Sequence, residues 1–208
     1  VRRNVDPELV SNRDFYAVMT AVIVPRPIAW VSSRSAEGVL NLAPHSFFTV
    51  ACVDPPMVQF TSVGRKDSLT NVEATGEFVV NFAAEPLFEQ VNATATNFPP
   101  EVDEFAAVGL HLEPSATVAV PRVAESPVAI ECTLHTTLEL GDSTVVIGQV
   151  RHISIDEAML DGNHPEITRL RPLARIGRNE WSTLGEVRDI SRIRWADWPG
   201  DYAGPQNP

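Results

Sequence analysis

Lys66 is the only lysine in the 208 residues, and it stands beside Arg65 in the stretch "SVGRKDSL", residues 62–69. All the other members of the 16 Lys and Arg side chains are arginine, and the formal net charge is -11. In so acidic a chain, two adjacent cations flanked by Ser62, Gly64 and Ser68 suit the capture of an anion. Asp67 or Ser68 is a suitable helix N-cap, and a helix start leaves unpaired N–H groups with partial positive charge. With the hydroxyls of Thr61, Ser62 and Ser68 added, the segment has the parts of a phosphate cradle. An equally direct reading has Asp67 occupying those amides itself, with Arg65 and Lys66 solvated or Arg65 paired to Asp67. The residues alone leave both open.

Other chemistry-bearing residues are sparse. The five histidines include no H-x-x-x-H pair and no Cys–His cluster, so a metal site has no support. Cys52 and Cys132 both fall in apolar surroundings, which is the pattern of buried free thiols in a reducing cytoplasm. The negative charge disfavours nucleic acid as a partner. No apolar run is long enough for a membrane span, no secretory signal pattern is present, and a cytoplasmic location is expected.

The elements that must position Lys66 are mostly strands. Residues 13–22 read as a short helix, Ile28 to Ser33 as a strand after "VPRP", and "VLNLAPHSFFTVAC" as further strand broken at Pro44. "MVQFTSV" is another strand, followed by a helix from about Ser68 to Thr75, with Gly76 as the residue that ends it. "EFVVNFA" has the apolar density of a strand buried on both faces, and "EPLFEQVNATAT" and "EVDEFAAVG" read as short helices. In "AIECTLHTTLEL", Ile130, Cys132, Leu134, Leu138 and Leu140 share one phase and Glu131, Thr133, His135, Thr137 and Glu139 the other, so one face is expected to be wet. "GDS" then turns the chain into "TVVIGQVRHISI". The reading is a mainly β protein, an antiparallel barrel with a few peripheral α-helices. Neither G-x-G-x-x-G nor a P-loop is present.

The motifs "PRPIAWVSS", "NLAPHSFFTVACVDPPMVQF", "RKDSLTNVEATGEFVVNF", "NFPPEVDEF", "PRVAESPVAIECTL" and "VVIGQV" follow one another in this order. As a set, spanning roughly Val24 to Gly177, they resemble the flavin reductase-like family, which includes flavoredoxins and the reductase components of flavin-dependent monooxygenases. The resemblance implies an FMN-binding split β-barrel acting as a homodimer, one domain over 1–208 with its barrel core at about 20–178. It implies that the segment around Lys66 holds the flavin phosphate, with charge from Arg65 or Lys66 and hydrogen bonds from Thr61, Ser62 and Ser68; FAD could share that phosphate site. It places "NLAPHSFF" beside the isoalloxazine ring, with Asn41, Ser46 and the backbone from Ala43 through Pro44 and His45 to Phe47 as candidate contacts. Pro44 would free neighbouring backbone groups, one of Phe47 and Phe48 would touch the ring, and His45 would bond the flavin or steer the substrate. Trp30 would line the pocket or pack in the core or an interface.

In "RPLARIGRNEW", Gly177 is followed by Arg178, and Trp181 takes roughly the family's aromatic position. From about Glu186 the tail has no family counterpart; Trp195, Trp198 and Tyr202 are expected to wrap a neighbouring subunit or cover a nicotinamide site. His135 and His152 are expected on wet strand faces, and His164 on a loop. The activity implied is an FMN-dependent NAD(P)H:flavin oxidoreductase, passing a hydride from nicotinamide to flavin N5 and supplying a monooxygenase. The alternatives are an electron-transfer protein with tightly held FMN, or a barrel that binds flavin without turnover.

Overall fold

The computed structural model describes residues 1–198 and 200. Seven strands form one antiparallel sheet: β1 (Ala29–Arg34), β2 (Leu40–His45), β3 (Phe48–Cys52), β4 (Met57–Val63), β5 (Glu77–Phe82), β6 (Val128–Leu140) and β7 (Ser143–Ile155). Their order across the sheet is β2-β1-β5-β6-β7-β4-β3. The two edge strands, β2 and β3, are therefore consecutive in the chain, separated only by Ser46 and Phe47. The sheet must curl until its edges meet at that corner, where the Thr61 amide donates to the Phe47 carbonyl at 2.9 Å and extends the β3–β4 ladder. The result is a barrel closed at one corner and split along the rest of that seam.

Strands β1 and β5 are buried on both faces, and alternate residues enter different clusters. Ile28 and Trp30 enter one apolar cluster with Leu42, Val91 and Phe105. Ala29 and Val31 enter a second, inside the barrel, with Phe60, Phe78, Val80 and Cys132. The second also takes Leu69 and Val72 from helix α2 (Asp67–Thr75), so α2 closes one end of the barrel. Gly148 on β7 faces Phe78: a Cβ there would collide with the Phe78 ring, so the close packing requires glycine. Helix α1 (Asn12–Val22) lies outside the barrel, and the short helices α3 (Phe88–Ala93) and α4 (Glu104–Ala107) cover the first cluster.

Five local expectations need correction. The expected break at Pro44 falls instead at Ser46–Phe47, and Pro44 pairs in register with Trp30. An edge strand tolerates proline because half of its N–H groups have no ladder partner to lose. Helix α2 begins one residue early, with Lys66 as an N-cap whose side chain makes no capping bond; Gly76 ends it with φ 75°. Glu131 is not on a wet face. It is wholly buried, and its carboxylate accepts from the amides of Ala116 and Thr117 and from the Thr117 hydroxyl at 2.6–2.8 Å. Leu138 and Leu140 are exposed, because the ladder shifts between the pairs Ile147/Thr136 and Gly148/Leu134 and leaves His135 as an extra residue that flips the phase. His135, His152 and His164 are exposed. Cys132 is buried, which pushes its thiol up to about 12, whereas Cys52 is only half-buried.

Candidate functional site

The start of α2, the end of β2 and the loop after α3 converge on a cleft of about 260 Å³. Asn41, Ala43, Pro44 and His45 line one wall, Arg65, Lys66, Asp67 and Ser68 another, and the 94–98 loop with Glu104 a third. The expected anion segment and the expected ring segment are thus brought together although some twenty residues separate them. Ser46, Phe47 and Thr61 lie across the barrel corner. They line an adjoining apolar cleft of about 390 Å³ with Met19 of α1, Ile23 just after it, Phe48 and Gln59.

Two expected residues touch neither cleft. Trp30 is wholly buried, with its indole N–H donating to the Thr94 hydroxyl at 2.9 Å, so it packs the core beneath the cleft and does not line it. Ser62 is also wholly buried, and its hydroxyl donates to the Gly64 carbonyl at 2.8 Å, holding the turn before α2. Ser68 is buried as well. Its hydroxyl donates to Asn41 Oδ1 at 3.0 Å and meets His45 Nε2 at 3.2 Å, so it braces the wall and is not free for a phosphate.

Behind the wall runs a buried polar chain. Asn41 Oδ1 also accepts from Ser33 at 3.2 Å, and Asn71 donates to the Ser33 hydroxyl at 3.2 Å. Asn41 Nδ2 donates to Glu104 at 2.8 Å, and the Leu42 amide donates to the other Glu104 oxygen at 3.1 Å. Nothing local in the sequence marks Glu104. It lies in "EVDEF" among other carboxylates, and its partners are 62 and 63 positions away. Burial pushes its carboxyl above the usual range, against the pull of these hydrogen bonds.

The two cations differ. Arg65 is tied to Glu73 of α2 at 2.6 Å on the exposed side. Lys66 forms no salt bridge among the described residues and stands at the uncapped N-terminus of α2, where first-turn N–H groups face outward. Its charge, after burial, is the next cause that holds His45 low, at about 4. His45 is therefore neutral near pH 7 and packs its ring 4.7 Å from that of Phe60. The unfolded chain, with His45 near its ordinary 6.5, binds more protons than the folded one between about pH 4 and 6.5. Stability should rise with pH across that window and be lost as pH falls through it, by roughly 3 kcal/mol in all. In urea unfolding, His45→Gln is expected to flatten this slope; an unchanged slope would show that His45 is not its source.

The donor set fits a flavin phosphate: among the described residues one cation without a salt bridge, at a helix N-terminus that no side chain caps. Fold and site together define a flavin-binding split barrel. Residues 20–174 match the model of the flavin reductase like domain, and the chain belongs to that family. A protein of Aquifex aeolicus described as uncharacterized is 39% identical over 168 residues, covering 78% of this chain and 86% of its own. Among solved structures, nitrilotriacetate monooxygenase component B from Bacillus cereus superposes with a TM-score of 0.88 at 30% identity, over 91% of this chain and 99% of that one. The 2-nitrobenzoate 2-nitroreductase of Pseudomonas fluorescens gives 0.87 at 27% identity, over 95% and 100%.

The closing motif forms a small sheet in which Arg175 pairs with Trp181 and Arg26 with Arg175. The Arg175 guanidinium lies 4.6 Å from the Trp181 ring centroid, and Phe88 meets that ring edge-on. Trp181 therefore packs on α3, away from the cleft beside Lys66. Trp195 is exposed in a short turn at Trp195–Asp197, and Tyr202 lies outside the described residues.

Proposed function

We propose that the chain is an FMN-dependent NAD(P)H:flavin oxidoreductase. The observation that carries this reading is the position of Lys66, the uncommitted cation at an uncapped helix start, on the same cleft as the Asn41–His45 backbone. Lys66 and the first amides of α2 hold the phosphate of FMN. The Ala43–His45 backbone and the apolar corner at Phe47 fix the ring and shield it from water. Bound FMN supplies the hydride-accepting chemistry at N5, so no acid–base pair is demanded of the protein. His45, kept neutral, adds no charge to the wall, and the buried chain from Asn41 to Glu104 keeps that wall rigid.

The reading includes a homodimer and a monooxygenase as the consumer of reduced flavin. The first is supported by exposed apolar residues on α1 and just after it (Val22, Ile23, Val24), around β3 (Val50, Val53) and on the β6 tip (Leu138, Leu140). The second is supported by the likeness to a monooxygenase component B. The test is NADH and NADPH oxidation by purified protein with FMN in excess. Turnover that rises with FMN and saturates is expected. No oxidation of either nucleotide, with FMN nonetheless bound, would favour the electron-carrier alternative.

A further inference from the structure

The cleft beside Lys66 continues into a second cleft of about 360 Å³, and the two share Asn41, Asp67 and Glu104 as lining residues. The second cleft adds Glu37 and Glu101, together with Ser35, Thr70 and Pro100. Positive charge is confined to one end of this channel, at Lys66 and the Glu73-bound Arg65. Asp67 and Glu104 line both clefts, Glu37 and Glu101 only the one beyond Lys66, and among the described residues none of these four carboxylates forms a salt bridge. The charge of Asp67 is itself one of the causes that raise Glu104, after burial, so the like charges act on one another.

We infer that this acidic continuation makes the site selective for a flavin mononucleotide against a flavin dinucleotide, with Glu37 and Glu101 as specificity-determining residues. The inference rests on the reading that Lys66 holds the flavin phosphate. A monophosphate ends at Lys66 and the first amides of α2, where its charge is matched. A dinucleotide carries a second phosphate and an adenosine beyond that point. Along the channel the second phosphate meets carboxylates and no cation, and a like-charge contact disfavours binding as surely as an ion pair favours it. Glu37 and Glu101 are exposed, and among the described residues their side chains make no hydrogen bond or salt bridge, so removing their charge leaves the phosphate end intact.

The test is titration of flavin-free protein with riboflavin, FMN and FAD by quenching of flavin fluorescence, in low and in high salt. The natural protein is compared with Glu37→Gln/Glu101→Gln. FMN is expected to bind at least about 10-fold tighter than FAD at low salt, with the gap narrowing as salt screens the wall. In the double variant FAD should tighten by about 3- to 10-fold and FMN by less than about 2-fold. FAD binding as tight as FMN in the natural protein, or FAD affinity unchanged in the double variant, would overturn the inference while leaving the flavin site standing. Failure of FMN and FAD alike to bind would remove the flavin reading and this inference with it.

Discussion

Lys66→Ala is expected to weaken FMN binding by about 10- to 100-fold while changing riboflavin binding by less than about 3-fold, because a charge-assisted hydrogen bond contributes about 1.5–3 kcal/mol. The difference between the two ligands is the phosphate, so the comparison isolates the contact assigned to Lys66. Arg65→Ala should cost far less, under about 3-fold, because its guanidinium is already bound to Glu73 and sits in solvent, where such pairs and their rearrangements contribute little. Fluorescence titration of both variants with both ligands checks this. Equal losses for FMN and riboflavin would mean that Lys66 supports the fold of the cleft and not the phosphate.

Glu104→Ala is expected to destabilise the protein by about 2–4 kcal/mol, since it removes the acceptor of two buried donors at once. Asn41 Nδ2 and the Leu42 amide would both lose their partner in the core. Asn41 in turn orders Ser33 and Ser68, and Ser68 meets His45, so the loss should loosen the wall that lines the cleft. Glu104→Gln keeps the shape and one good acceptor, and its cost should be about half as large. Urea unfolding of the three proteins measures the stabilities. An unfolding midpoint in Glu104→Ala equal to that of the natural protein would show that the buried chain contributes nothing.

Much of the barrel could be read from the sequence because strand burial alternates with period 2 and the turns are marked. Gly76 announced the end of α2, and the "GDS" turn announced the hairpin of β6 and β7. The departures come from partners that sequence distance hides. Glu131 looks like a wet-face residue by phase, yet the 116–117 segment folds over it and supplies three donors. Pro44 looks like a strand breaker, and only the position of β2 at the sheet edge makes it harmless. The site shows the same division. Lys66 stood out as the lone lysine, and the ring segment followed from the resemblance. Glu104 could not be found, because nothing local distinguishes it from Glu101 or Asp103. The segments of Trp30 and Ser62 run beside the site, but the pleat buries Trp30 in the cluster beneath α3 and α4 and turns Ser62 to the same face as Val58 and Phe60.

The central claim is that this barrel holds a flavin that nicotinamide reduces. It is tested most directly by the visible absorbance of the FMN-loaded protein, recorded without oxygen before and after addition of NADH and then NADPH. The account predicts a protein-bound flavin spectrum that bleaches with at least one of the two and returns on exposure to air. A bound flavin spectrum left unchanged by both, or a protein that takes up no FMN at all, would contradict it.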